Sequence, residues 1–179
     1  MKKPYVIAIA GCSGSGKSTL SQKLLDDLKD DYRVELLATD RYFNRPLPKM
    51  ISPLSGLEYD DYNCPESLNF AKYYEDVKAL ITRDDLDIVI LEGNYLLLDM
   101  DGWRDLASYA DYTISIRADE EMLRERLIDR KMKTGVSRNE SIRFVDFSDM
   151  PNVRLCLDCS LPADLQLEID SEGEYVRRN

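Results

Sequence analysis

The stretch GCSGSGKST at residues 11–19 has the spacing of a device for holding phosphates. Gly11, Gly16, Lys17 and Ser18 satisfy the pattern G-x-x-x-x-G-K-[ST], and Gly14 adds a further glycine inside the loop. Glycine lets the backbone turn with positive φ and no Cβ clash, so that amide N–H groups converge on phosphate oxygens. The N-terminus of the following helix adds its partial positive charge. Lys17 then reaches the terminal phosphates, and the Ser18 hydroxyl sits on Mg²⁺. The candidate nucleotide-binding residues are Gly11, Ser13, Gly14, Ser15, Gly16, Lys17, Ser18 and Thr19. A plain flexible Gly/Ser loop is the competing reading. The full pattern, between the apolar YVIAIA and the helical LSQKLLDDLKD, argues against it.

The chain contains no histidine. Any general base must therefore be a carboxylate, Lys, Tyr or Cys. Two carboxylates end strand-like runs: Asp40 in RVELLATD and Glu92 in LDIVILEG. Near a nucleotide and Mg²⁺, one carboxylate can help hold the metal and the other can accept a proton from an attacking hydroxyl. Asp40 precedes an aromatic-rich loop able to cover a substrate, so it is read as the base. Glu92 ends the most apolar run, so it is read as serving the metal with Ser18. The plainer alternatives are a turn-forming or helix-capping Asp40 and a solvent-facing Glu92.

These residues need a frame. Strand-like runs recur as YVIAIA, RVELLATD, LDIVILEG, DYTISIR and NVRLCLDC, with DLQLEI as a further candidate. Helical patterns lie between them at 17–30, 66–82, 104–110, 119–133 and, more weakly, 138–147. The runs at 6–10 and 88–91 are continuously apolar, as strands covered on both faces must be. Alternation of this kind predicts an α/β fold: a parallel sheet of about five strands flanked by helices on both faces, in three layers. Ligands in such folds sit at the carboxyl ends of the strands, where the phosphate loop, Asp40 and Glu92 all fall. The long stretch 41–65 carries four prolines and is read as an irregular, functional substrate loop.

With 179 residues, the chain fits one domain spanning 1–179. It holds no apolar run of the ~18 residues that a membrane span needs. A formal net charge of −10 disfavours general nucleic-acid binding. The start, MKKPYVIAIAGC, imitates a lipoprotein signal, but its apolar run is short and cleavage before Cys12 would destroy the phosphate loop. A cytoplasmic enzyme is expected. Cys156 and Cys159 form a C-x-x-C, yet only Cys12 and Cys64 remain as partners, and VRLCLDC reads more simply as a strand with one Cys on each face.

Taken together, GCSGSGKST, TDRYF, YDDYNCPESLNF and VILEGNYLL resemble the uridine kinase and phosphoribulokinase family of P-loop kinases. Nicotinamide riboside kinases and bacterial pantothenate kinases are related members. The later SDMPNVRL and LPADLQLEI are similar to nucleoside- or sugar-kinase-like members, and the resemblance spans most of residues 5–170. It implies ATP as phosphate donor and a small-molecule hydroxyl as acceptor, with Mg²⁺. It also implies Asp40 as base, from the family's D-x-F-Y-like motif, and Glu92 near the metal, from its E-G motif.

The family's arginine-rich lid resembles DEEMLRERLIDRKMKTG. Arg126 and Arg130 are the catalytic candidates there, beside Arg124, Lys131 and Lys133; closure over the phosphates would stabilise moving charge. An ordinary amphipathic helix with Met122, Leu123 and Leu127 inward is the alternative. By similarity of position, Pro151 and Asn152 border the adenine, or simply form a turn. Tyr42, Phe43, Tyr59 and Tyr62 either stack on a substrate ring or pack the loop against the core. Asp61, Asn63 and Tyr95 complete the substrate candidates.

Asn63 and Cys64 stand where uridine kinases have Asp and His, and Pro65 can start the next helix near a cap at Asn63 or Cys64. The chain also leaves little room for the hairpin that often grips the nucleoside. The leading expectation is a kinase for a nucleoside or related sugar-like metabolite, with nicotinamide riboside, pantothenate or a free sugar as alternative acceptors; a homodimer is compatible with it. A nucleotide-dependent regulatory module and a nucleoside-monophosphate kinase are the competing classes. A phosphate acceptor needs no base, so Asp40 weighs against the last.

Overall fold

The computed structural model describes residues 3–52, 56 and 58–178. In chain order the main strands and helices are β1 (Tyr5–Gly11), α1 (Lys17–Leu28), β2 (Val34–Ala38), β3 (Lys49–Ile51), β4 (Glu58–Asp60), α2 (Phe70–Leu80) and β5 (Ile88–Gly93). There follow α3 (Trp103–Ala107), β6 (Tyr112–Arg117), α4 (Glu120–Met132), α5 (Arg138–Phe144), α6 (Met150–Asp158), β7 (Leu165–Ile169) and β8 (Tyr175–Arg177).

The two most apolar runs lie side by side at the centre. β1 pairs in parallel with β5 on one side and β6 on the other. β2 lies outside β5 and β7 outside β6, both parallel. The sheet order is β2-β5-β1-β6-β7-β8, with helices flanking the sheet. Ile9, Val89 and Ile90 are fully buried, as the continuous apolar runs required. At about 1.5–3 kcal/mol for each large aliphatic side chain, this central pair anchors the strand ends that carry the chemistry.

Local signals fix the helices. Asn69 caps α2 by accepting from the Lys72 amide, and Tyr73, Val77 and Leu80 turn inward. Asp119 caps α4 through the Met122 amide. Glu120 and Glu121 occupy its first turn and Arg130 and Lys131 its last, in accord with the helix dipole. Leu123, Leu127 and Ile128 form its buried stripe.

The structure departs from the sequence reading at four places. NVRLCLDC is not a strand; it lies in α6, where Met150, Val153 and Cys156 recur every three residues and are buried. Cys156 and Cys159 therefore do not face opposite sides of a sheet; both are free thiols. DLQLEI supplies the fifth parallel strand, β7, and β8 adds a sixth, antiparallel strand. The 41–65 stretch is not wholly irregular: β3 and β4 pair antiparallel, Met50 opposite Tyr59, so a small hairpin does exist. Residues 53–55 and 57 of that stretch lie outside the described residues. Finally, Pro65 opens a short 3₁₀ turn, Pro65–Ser67, and α2 starts later with Asn69, not Asn63 or Cys64, as its side-chain cap.

Candidate active site

The phosphate loop runs from the end of β1 into α1. Gly14 and Gly16 adopt φ of 83° and 86°, a left-handed geometry that side chains disfavour. Gly16 also caps α1, its carbonyl accepting from the Leu20 amide at 3.1 Å. Two distant side chains brace the loop. Tyr175 on β8 donates its hydroxyl to the Gly16 carbonyl at 2.7 Å. Arg126 on α4 donates to the Gly14 carbonyl at 3.3 Å and to the Asp170 carbonyl at 3.2 Å.

Strand register delivers the carboxylates. Glu92 on β5 pairs with Ile9 of β1 and Ala38 of β2. Just beyond Ala38 a 3₁₀ turn, Thr39–Arg41, carries Asp40. This turn presses against β5 because residue 93 is glycine: a Cβ there would stand 2.5 Å from the Thr39 side chain.

Glu92 is buried, 3.5 Å from the Lys17 ammonium and 3.4 Å from the Ser18 hydroxyl. Burial pushes its carboxyl above the usual carboxylate value; Lys17 opposes the shift, and the charge of Asp40 adds to it. Between the ordinary value of 4.5 and the raised one, the folded protein binds the proton and the unfolded chain does not. Stability should therefore fall as pH rises through that window. Subtracting the pH–stability curve of Glu92→Gln from that of the wild type, without nucleotide, should reveal this slope; superimposable curves would contradict it.

A cleft of about 420 Å³ opens over these groups, lined by Ser13, Gly14, Gly16, Lys17, Ser18, Thr19, Asp40, Phe43, Tyr62, Asn63, Asn94 and Arg130. Of the residues anticipated from sequence, Gly11 ends β1 behind the loop. Ser15 is fully buried, and among the described residues its hydroxyl finds no hydrogen-bond partner. Tyr42 turns away, donating to Asp76 at 2.9 Å and packing edge-on against Tyr73. Tyr95 is buried too, its hydroxyl bonded to the Asn63 carbonyl and Asn152 Oδ1. Tyr59 is exposed on β4. Asp61 accepts from the Asn63 amide at 2.8 Å in a local turn.

Within α4 the basic residues diverge. Arg124 is drawn to Asp146, Arg130 reaches the cleft, Lys131 lies over the Phe144 ring and Lys133 is exposed. Pro151 and Asn152, expected to border the adenine or form a turn, are helical instead. Pro151 lies in the first turn of α6, and Asn152 bonds Tyr95 and the Ser148 carbonyl, beneath the loop that carries Asn63. Asn94 was missed by the sequence reading. It lies two residues after Glu92 and lines the cleft, and among the described residues its buried amide oxygen has no hydrogen-bond partner.

The donor set suits ATP with Mg²⁺. A serine hydroxyl and a carboxylate converge beside a lysine, the oxygen ligands a hard cation prefers. The unpartnered Ser15 hydroxyl lies within a loop shaped for phosphate oxygens.

Comparison with known proteins agrees with this geometry. YggC, an uncharacterised protein of Escherichia coli K12, is 31% identical over 95% of this chain and 80% of its own length. A uridine kinase of Lactobacillus johnsonii is 26% identical, covering 80% of this chain and 74% of that one. The structure of a candidate fructose transport system kinase from Silicibacter sp. TM1040 superposes with a TM-score of 0.79 at 27% identity, over 93% of this chain and 90% of that chain. The model of the family described as chloramphenicol phosphotransferase-like protein matches residues 4–146. The chain belongs to that family of P-loop kinases.

Proposed function

We infer that this protein is an ATP-dependent small-molecule kinase that transfers the γ-phosphate to a hydroxyl of a nucleoside or related sugar-like metabolite. The observation that carries the reading is the shared cleft: Asp40 lines the same cavity as Lys17, Ser18 and the phosphate-loop glycines. Relatives that act as kinases on small hydroxyl compounds support it.

The residues divide the work by position. Mg·ATP, when bound, supplies the phosphoryl group and part of the charge neutralisation. Lys17 and the loop amides hold the terminal phosphates, and Ser18 with Glu92 holds the metal. Asp40, exposed at the mouth of the cleft, orients the acceptor hydroxyl and takes its proton. Arg130, which lines the cleft with Asp149 as its ion partner, stabilises charge on the moving phosphoryl group. Swinging Arg126 away from the Gly14 carbonyl would free a second guanidinium for the same task. Phe43, Tyr62 and Asn63 border the acceptor and, on closure, exclude water.

The test is ADP release from Mg·ATP against uridine, cytidine, nicotinamide riboside, pantothenate, ribose and fructose, with adenosine and UMP as contrasts. Stimulation by one hydroxyl acceptor supports the reading. Response to UMP alone would replace it with a monophosphate kinase. A flat panel with ATP bound would favour the regulatory module.

A further inference from the structure

A second cavity, of about 180 Å³, adjoins the main cleft and shares Tyr62, Asn63 and Arg130 with it. Its far wall is unusual. The helical run from α5 to α6 is interrupted by a π-helical turn, Val145–Asp149, a distortion often found at functional sites. That turn aims two polar side chains inward: Ser148 is 4% and Asp149 6% exposed. Asn63 donates through Nδ2 to the Ser148 hydroxyl at 2.6 Å, and its main-chain carbonyl accepts from Tyr95. The side chain is thereby fixed with its amide oxygen left over as an acceptor.

Asp149 lines the same cavity, with Arg130 at 3.6 Å as its ion partner. Burial pushes its carboxyl up to about 6, against the pull of Arg130 and Lys131. A buried carboxylate with one long ion pair keeps acceptor capacity to spare.

Resting on the kinase reading above, we propose that this side cavity is the acceptor's specificity pocket and takes a compact polyhydroxylated molecule of the monosaccharide class, whose hydroxyls donate to Asp149 and Asn63. Size supports this. The cavity, at about 180 Å³, is below the ~300 Å³ at which pockets for larger ligands begin. A base and its ribose do not both fit within it, and a pyrimidine lodged here with its ribose in the main cleft would turn carbonyl oxygens toward the acceptor groups of Asp149 and Asn63.

Charge supports it too. The cations at the cavity are engaged, Arg130 by Asp149 and Lys131 by the Phe144 ring at 3.5 Å. Asp60 is paired with Lys49 at 2.6 Å. Beside these cations the cavity offers the Asp149 carboxylate and the Asn63 amide oxygen, acceptors that the hydroxyls of a sugar satisfy. The reacting hydroxyl lies in the main cleft beside Asp40, and the remaining hydroxyls pass under Tyr62.

The test compares wild type, Asp149→Asn and Tyr62→Ala, with D-fructose, D-ribose, uridine and pantothenate as acceptors. Asp149→Asn keeps the side-chain shape and removes a buried charge. Tyr62 is exposed, so its loss leaves the fold intact. A free monosaccharide should be the preferred acceptor. Asp149→Asn should raise its KM about 10- to 100-fold, the cost of a hydrogen bond to a charged group, with the KM for ATP unchanged. Tyr62→Ala should move the same KM in the same direction.

If uridine or pantothenate is preferred, the kinase reading stands and the pocket assignment falls. If Asp149→Asn lowers kcat and leaves the acceptor KM alone, Asp149 merely holds Arg130, and the assignment falls again. No ADP release with any acceptor overturns the kinase reading and this one with it.

Discussion

Lys17→Ala should lower ATP-dependent phosphoryl transfer by at least about 10²–10³-fold, the scale of losing one preorganised donor at a site of developing charge. Two structural facts set this expectation. The lysine is held at the first position of α1, largely buried and facing the cleft. Its ammonium is also the ion partner of Glu92 at 3.5 Å. Without it, the buried carboxylate faces only the Ser18 hydroxyl and takes up a proton more readily, which removes the negative charge proposed to hold the metal. Nucleotide affinity and kcat should therefore both fall, and the fall in affinity should be steeper when Mg²⁺ is present. Steady-state kinetics and nucleotide titration check this. Wild-type turnover in the variant would detach Lys17 from the phosphates.

Asp40→Asn should behave differently: kcat falls by about 10²–10⁴-fold, while ATP affinity and thermal stability stay as they were. Asparagine keeps the shape of the side chain and the 3₁₀ turn that carries it, and removes only the basic oxygen. Asp40 is exposed and, among the described residues, forms no ion pair, so little else is lost. The change also withdraws one negative charge that raises the Glu92 carboxyl, which favours metal binding if anything. Unaltered kcat would end the assignment of Asp40 as base; a rise in the KM for ATP would show that its role lies with the nucleotide.

The parts of the molecule legible in sequence were those where pattern and burial coincide. The phosphate loop, Asp40 and Glu92 could be placed because continuous apolar runs mark β1 and β5, and chemistry in such sheets gathers at strand ends. α6 was misread because Val153, Leu155 and Leu157 alternate like a strand. The competing signal was present: Met150, Val153 and Cys156 at helical spacing, with Pro151 in the first turn. The hairpin of β3 and β4 was missed because its residues are mostly exposed and three-residue strands carry no period. β8 escaped for the same reason.

The acceptor side was the least legible. In sequence Tyr42 can stack on a substrate ring or pack the loop, and Tyr95 can line the substrate, yet their hydroxyls are spent on Asp76 and Asn63. Asp149 gave no signal, since nothing in SDMPN foretells a π-helical turn. The turn packs against α4 and meets the Asn63 loop through Ser148, contacts between distant segments that no local pattern carries.

The two braces on the phosphate loop bear on how the protein comes to be made. Gly14 and Gly16 are synthesised early, but Arg126 lies 112 positions further on and Tyr175 follows Gly16 by 159. Contacts of such separation close late, because chain entropy must be overcome before they form. A nascent chain thus carries the glycine-rich segment unbraced until the final strand pair docks. On the proposed kinase reading, nucleotide that recognises only the braced loop would stabilise the folded domain by mass action, and ATP would then act on newly made chains as a ligand that selects those in which β8 has found its place.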